Sequence, residues 1–218
     1  MRVVIAGGHG KIALLLERLL AERGDQAVGL VRNPAHVAEV RAADAEAVVC
    51  DLEATSAGAV TVLLTGADAV VFAAGAGPGS GVPRKDSVDR GASVLLADAA
   101  GQAGVRRFVQ ISSMGAGQPP RTGSDETWAA YIAAKTAAED DLRGRDLDWT
   151  ILRPGRLTDD PGTGLIRLAP PPAPAGAVPR ADVAAVIVAL LDEPGTRHQT
   201  LELVSGDSPV AAAVRDLT

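Results

Sequence analysis

Aromatic residues are nearly missing from this chain, whose 218 residues include two phenylalanines, two tryptophans and a single tyrosine, Tyr131. Cysteine is scarcer still. Cys50 stands alone, which excludes an internal disulfide and any multi-cysteine metal site, and its place at the end of an apolar run suggests buried packing. Lysine is also rare, with only Lys11, Lys85 and Lys135 among 21 basic residues. Lysine and arginine differ in geometry and titration, so a lysine kept against that bias points to a position where a compact ammonium matters. The three histidines, His9, His36 and His198, are far apart with no metal-ligand spacing, which argues against zinc. No apolar run is long enough to span a membrane, and the chain enters a strand pattern at once rather than a signal-peptide pattern, so a cytoplasmic protein without membrane association is expected. A net charge of −6 argues against general nucleic-acid affinity.

What is present is an ordinary globular composition, 47% hydrophobic and 22% charged, at a length that suits one domain over 1–218. Short apolar runs alternate with helical patterns. Strands are expected at Arg2–Ala6, Ala27–Val31, Ala47–Cys50, Ala69–Ala74, Arg107–Ile111 and Trp149–Leu152. Helices are expected from Ile12 to Gly24 with charges on the outer face, from about Ala35, and over Ala57–Leu64, Asp86–Gly104 and Thr127–Leu142. This alternation predicts an α/β fold, a Rossmann-type doubly wound parallel sheet covered on both faces. The pattern then changes. Residues 156–180 are rich in proline and glycine, with a possible strand at Leu165–Leu168, and are expected to form a small C-terminal cap, a rim on the substrate side. Ala181–Leu191, Thr200–Val204 and Pro209–Leu217 read as helix, strand and helix. Gly75–Pro83 reads as a glycine-rich mobile loop, and Ser112–Glu126 as a polar connection.

The stretch RVVIAGGHGKIA carries the first chemical signal. Gly7, Gly10 and Ala13 have the spacing of a dinucleotide-binding turn, with alanine in the third place. The first small residue permits the turn, the second admits a phosphate to the backbone, and the third allows close helix packing. The N–H groups and dipole of the helix that follows suit a pyrophosphate. About 20 residues on, where an acid would hold the adenosine ribose, the chain has Val31, Arg32 and Asn33. Arg32 can pair with a 2′-phosphate, so NADP is favoured over NAD.

Tyr131 and Lys135 are four residues apart and share one helix face. An ammonium beside a phenol stabilises tyrosinate, lowering a pKa that is otherwise about 10, and such a phenol can exchange a proton with a carbonyl oxygen as hydride moves. Lys135 can also donate to the nicotinamide ribose. Ser112 and Ser113 end the fifth strand, where ligands sit in open α/β sheets, and spacing alone leaves open which of them donates to the substrate. Glu139, Asp140 and Asp141 are consecutive on a helix and read as solvated charge, while Trp128 and Met114 suit either a substrate pocket or the core.

Taken together, AGGHGKIA, LVRNP, CDLE, VVFAAGAG, RFVQISSMGA, YIAAK and DWTILRPGRLTD resemble the short-chain dehydrogenase/reductase superfamily, in its atypical, extended-like NAD(P)-binding, epimerase/dehydratase-like branch. The resemblance covers about Arg2–Asp160 and the later ADVAAVIVALLDEP helix. It implies that Gly7, His9, Gly10, Lys11 and Ile12 line the pyrophosphate, Arg32 meets the 2′-phosphate, and Asp51 and Leu52 flank adenine. Ala73, Ala74 and Gly75 would lie along the ribose, Pro154 and Ser112 beside the nicotinamide, and Ser113, Tyr131 and Lys135 would be catalytic. The expected activity is NADP-dependent oxidoreduction of a small carbonyl or quinone-like substrate. The alternatives are an NADP-binding redox sensor without turnover, or a flavin- or biliverdin-type reductase. A monomer or homodimer with a small-molecule substrate and no metal is expected.

Overall fold

Strand-forming runs and amphipathic helices alternate here because the central β segments are apolar on both faces and must be covered twice. The protein was analysed as a computed structural model, which describes residues 1–77, 79–119 and 125–217. Pro78 of the glycine-rich loop and 120–124 of the polar connection lie outside the described residues. The strands β1 (Arg2–Ala6), β2 (Gln26–Val31), β3 (Glu46–Val49), β4 (Ala69–Phe72), β5 (Arg107–Ile111), β6 (Asp148–Pro154), β8 (Leu165–Ala169), β10 (Gln199–Ser205) and β11 (Ser208–Pro209) form one nine-stranded sheet. Its order is β11-β8-β10-β6-β5-β4-β1-β2-β3, and every pairing from β3 through β10 is parallel. β7 (Arg156–Thr158) and β9 (Ala177–Pro179) make a separate parallel pair.

Alternate strand residues feed two cores. Val3 and Ile5 face α1 (Lys11–Glu22) and α7 (Arg180–Asp192), whose Leu16, Leu20, Ile187 and Leu190 are fully buried. Val4, Val70, Phe72 and Phe108 face the other way, onto Val60 of α3 (Ala57–Leu63), Leu96 of α5 (Ser93–Ala103) and Leu142 of α6 (Glu126–Arg143). Each such side chain contributes on the order of 1.5–3 kcal/mol by leaving water. Among the described residues no helix is long and apolar enough to cross a membrane.

Several expectations are corrected. The segment 156–180 is not only a rim: β8 joins the main sheet antiparallel to β10, because its alternating pattern buries Ile166 and Leu168 while exposing Leu165 and Arg167. The helix expected at Asp86 begins earlier, as a single turn α4 (Val82–Arg84), and widens into a π-helix over Lys85–Ala92 before α5. That wider turn points Lys85, Val88, Asp89 and Ala92 inward together. On α1, Glu17 is not on the charged outer face but fully buried, and Glu139 of α6 is equally buried rather than solvated. Both have room or partners the sequence did not reveal: glycines lie beneath Glu17, and Ser112 and arginines surround Glu139. Cys50 is only half-buried: it lies just past the short edge strand β3, packing against the second core on one side and lining a cleft on the other. α2 (Val37–Arg41) follows a 3-10 turn at Pro34–His36.

Candidate functional site

Where β1 ends, the chain must turn sharply, and Gly7 does so with φ +80, a value that favours glycine; a Cβ there would lie 2.7 Å from Ala74 Cα. Leu30 O accepts from Gly7 N at 3.2 Å and from Gly8 N at 3.0 Å, tying the turn to β2. Gly10 caps α1 without a side-chain partner, and a Cβ on it would be 3.1 Å from Gly7 O. The first-turn N–H groups of a twelve-residue helix are thus left for an anion. Beside the turn opens a cavity of about 290 Å³. Gly7, His9, Gly10, Arg32, Asp51, Leu52, Ala73, Ala74 and Gly75 all line it, at the carboxyl ends of β1 to β4. This bare cradle fits a dinucleotide.

Other expected cofactor residues lie outside that lining. Ile12 packs against the core, and Lys11 donates to Asp159 Oδ2 at 2.5 Å, with Arg180 on the other carboxylate oxygen at 2.6 Å. Lys11 foremost holds the Asp159 carboxyl below the usual range. Pro154 is buried at the end of β6, its carbonyl accepting from Met114 N at 3.0 Å.

Arg32 is exposed, and its Nη1 donates to Glu53 Oε2 at 3.0 Å. The same carboxylate accepts from Arg84 Nη2 at 2.6 Å and, through Oε1, from Ser87 Oγ at 2.6 Å. Arg84 foremost holds Glu53 below the ordinary carboxylate range. Sequence reading found Arg32 but missed Arg84, Glu53 and Ser87, since only the fold brings the helix after β4 against the end of β2. It also separated His9 from His36, whereas the structure stacks their rings at 3.6 Å, with His9 Nε2 3.1 Å from Glu39 Oε2. Among the described residues no group of three His, Cys, Asp or Glu could hold a metal ion.

The second half of the site lies at the end of β5. Lys135 is buried; its Nζ donates to Ile111 O at 3.1 Å and lies 3.3 Å from Asp89 Oδ1 on the π-helix. Asp89 was not singled out in the sequence, and it also accepts from Ala76 N at 3.3 Å. The Tyr131 ring centroid is 5.8 Å from Lys135 Nζ and 5.4 Å from the ring of Trp128, which is half exposed and therefore not core. The helix carrying both begins at Asp125, whose side chain accepts from Trp128 N at 3.1 Å.

The two serines part company. Among the described residues Ser113 Oγ has a 3.3 Å bond to Met114 O alone, whereas Ser112 is buried and donates to Glu139 Oε1 at 2.5 Å. Arg153 completes that cluster, with Nε and Nη2 on the two Glu139 oxygens at 2.9 and 2.5 Å; Arg143 adds a 2.7 Å contact. A buried carboxylate is tolerable when so many donors surround it.

Comparison with known proteins agrees with this geometry. Residues 7–194 match the model of the NAD(P)H-binding family. The chain belongs to that family. It is similar to the Bacillus subtilis protein YhfK, described as an uncharacterized sugar epimerase, at 34% identity across all of both chains. It is also similar to the solved structure of a candidate NAD-dependent epimerase/dehydratase from Bacillus halodurans, at 34% identity and TM-score 0.92 over 99% of each chain. The anaerobillin reductase ChuY of Escherichia coli O157:H7 aligns at 26% identity and TM-score 0.78, over 95% of this chain and 98% of that one. The fold of this NAD(P)H-binding protein is accordingly Rossmann-like, as its sheet order indicates.

Proposed function

We propose that this NAD(P)H-binding protein is an NADP-dependent oxidoreductase of the short-chain dehydrogenase/reductase type, acting on a small carbonyl or quinone-like substrate. The observation that carries the reading is the convergence of Lys135 and Tyr131 at the end of β5, on the same sheet edge as the glycine turn. NADP(H), when bound, supplies or accepts the hydride. The residues of the chain handle the rest: Tyr131 gives a proton to the substrate oxygen in reduction and takes it back in oxidation, and Ser113 donates a hydrogen bond to that oxygen. Lys135, oriented by Asp89 and Ile111 O, provides positive charge beside the phenol and donors for the ribose hydroxyls. Ser112 acts through Glu139, fixing the strand end that carries Ser113.

Support for NADP comes from Arg32 and Arg84 meeting beside the cleft, with Arg and Asn following β2 where an acid would repel a 2′-phosphate. A second reading, reduction of a linear tetrapyrrole, is favoured by the likeness to ChuY. NADPH oxidation by the wild type and by Tyr131→Phe, measured with carbonyls, quinones and biliverdin, tests both. The first reading expects carbonyl turnover to fall by about 10²-fold or more in the variant, with NADPH affinity kept. Carbonyl turnover that survives the substitution refutes the role of Tyr131, and equal biliverdin reduction by both proteins with no carbonyl turnover favours the second reading.

A further inference from the structure

The family motifs do not use Lys85, one of only three lysines in the chain. It is buried, and its Nζ lies 5.4 Å from the centroid of the Tyr131 ring, so two of the three lysines converge on the one tyrosine. Its neighbours Arg84 and Val88 line the nucleotide cleft, whereas Lys85 does not. Among the described residues one hydrogen bond holds it, a 3.0 Å donation to Gly77 O, and an ammonium has three donors.

The Lys85 ammonium has no counter-ion among the described residues, because the carboxylates of its own helix are engaged elsewhere. Asp86 is clasped by Arg90 at 2.6 and 2.8 Å, and Asp89 is shared between Lys135 and Ala76 N. A buried, unpaired charge is costly, and a methionine of similar length would fill the space without that cost. The hydrogen bond to Gly77 O and the face of the Tyr131 ring offset only part of that cost, so the fold gains little net from the charge over an apolar side chain. The half-exposed Trp128 packs on the same tyrosine, its ring centroid 5.4 Å from that of Tyr131, and offers a flat apolar wall.

We propose that Lys85 anchors an anionic group of the substrate, so that the site takes planar carbonyl compounds bearing a carboxylate close to the reacting oxygen. The inference rests on Tyr131 being the reacting tyrosine. In this arrangement the carboxylate accepts from the donors of Lys85 that Gly77 O leaves free, the planar body stacks on Trp128, and the carbonyl oxygen meets Tyr131. Lys85 is thereby a specificity residue for the proposed reaction.

Calorimetric titration with benzoate and with the neutral, isosteric benzamide tests the anchor without requiring turnover, in the presence and absence of NADPH. The wild type is expected to bind benzoate at least about ten-fold more tightly than benzamide, a preference lost in Lys85→Met and Lys85→Gln and kept in Lys85→Arg. Lys85→Met should also melt no lower than the wild type, whereas a merely structural tie to Gly77 would lower the melting temperature. Benzoate binding no better than benzamide in the wild type, or a preference that persists in the folded Met or Gln variant, overturns the proposal. Should the preference follow Lys85 while NADPH oxidation fails with every carbonyl acid, the reaction class falls and the anion site stands.

Discussion

Glu17 should make the stability of this protein fall as pH rises through neutrality. Its carboxyl is fully buried beneath the glycine turn, where a Cβ on Gly29 would come within 2.5 Å of Oε1 and one on Gly8 within 2.9 Å. Among the described residues neither oxygen has a hydrogen-bond partner. Burial pushes the carboxyl from 4.5 up to about 8, slightly opposed by Arg18. Because the folded state then holds a proton that the unfolded state has lost, the stabilising protonated form is complete below about pH 4.5 and stability declines from there up to about pH 8. At about 1.36 kcal/mol per unit, the decline between pH 5 and pH 8 is roughly 3.5 kcal/mol. For a domain of this size that corresponds to a fall of about 7–14 °C in melting temperature. Glu17→Gln keeps the shape and removes the proton, so its melting temperature should match the wild type near pH 5 and exceed it by most of that interval at pH 8. Thermal melts of both proteins across this range provide the assay. Parallel curves for wild type and Glu17→Gln would refute the buried, protonated carboxyl.

Other outcomes follow from the same geometry. Glu139→Ala leaves the Arg153 guanidinium buried without its partner and should cost about 3–5 kcal/mol in urea unfolding, whereas Asp140→Ala on the exposed side of the same helix should stay within about 0.5 kcal/mol. Gly7→Ala forces a side chain against Ala74 and should abolish NADPH binding, read by fluorescence titration, or lower the melting temperature measurably. Glu53→Gln releases Arg32 and Arg84 from a carboxylate and should tighten NADPH relative to NADH, which competition binding can measure.

Much of this fold is legible in sequence because parallel strands buried on both faces read as unbroken apolar runs, and glycine marks their ends. β1 and β5 fall at the expected residues, Arg32 lines the cleft beside the glycine turn, and the Tyr131 ring lies 5.8 Å from Lys135 Nζ. What stayed hidden depends on contacts distant in sequence. Glu53 reaches Arg84 across 31 positions, Ser112 reaches Glu139 across 27, and Lys135 finds Asp89 only because a π-helix turns that carboxylate inward. Glu17 and Glu139 looked solvated because a charge in a helical pattern gives no sign of the space or donors opposite it. β8 eluded a firm reading for a related cause: five residues between proline-rich stretches acquire a partner only when β10, more than 30 positions later, runs beside them.

We propose that the cleft holds NADP with Arg32 reading its 2′-phosphate, and a fluorescence titration of the wild type and Arg32→Ala with NADPH and NADH is the decisive measurement. NADPH should bind the wild type more tightly than NADH, and the substitution should weaken NADPH by about 10–100-fold while leaving NADH nearly unchanged, as the loss of one charge-assisted contact requires. Equal affinities for the two nucleotides, or an NADPH affinity indifferent to Arg32→Ala, would contradict it.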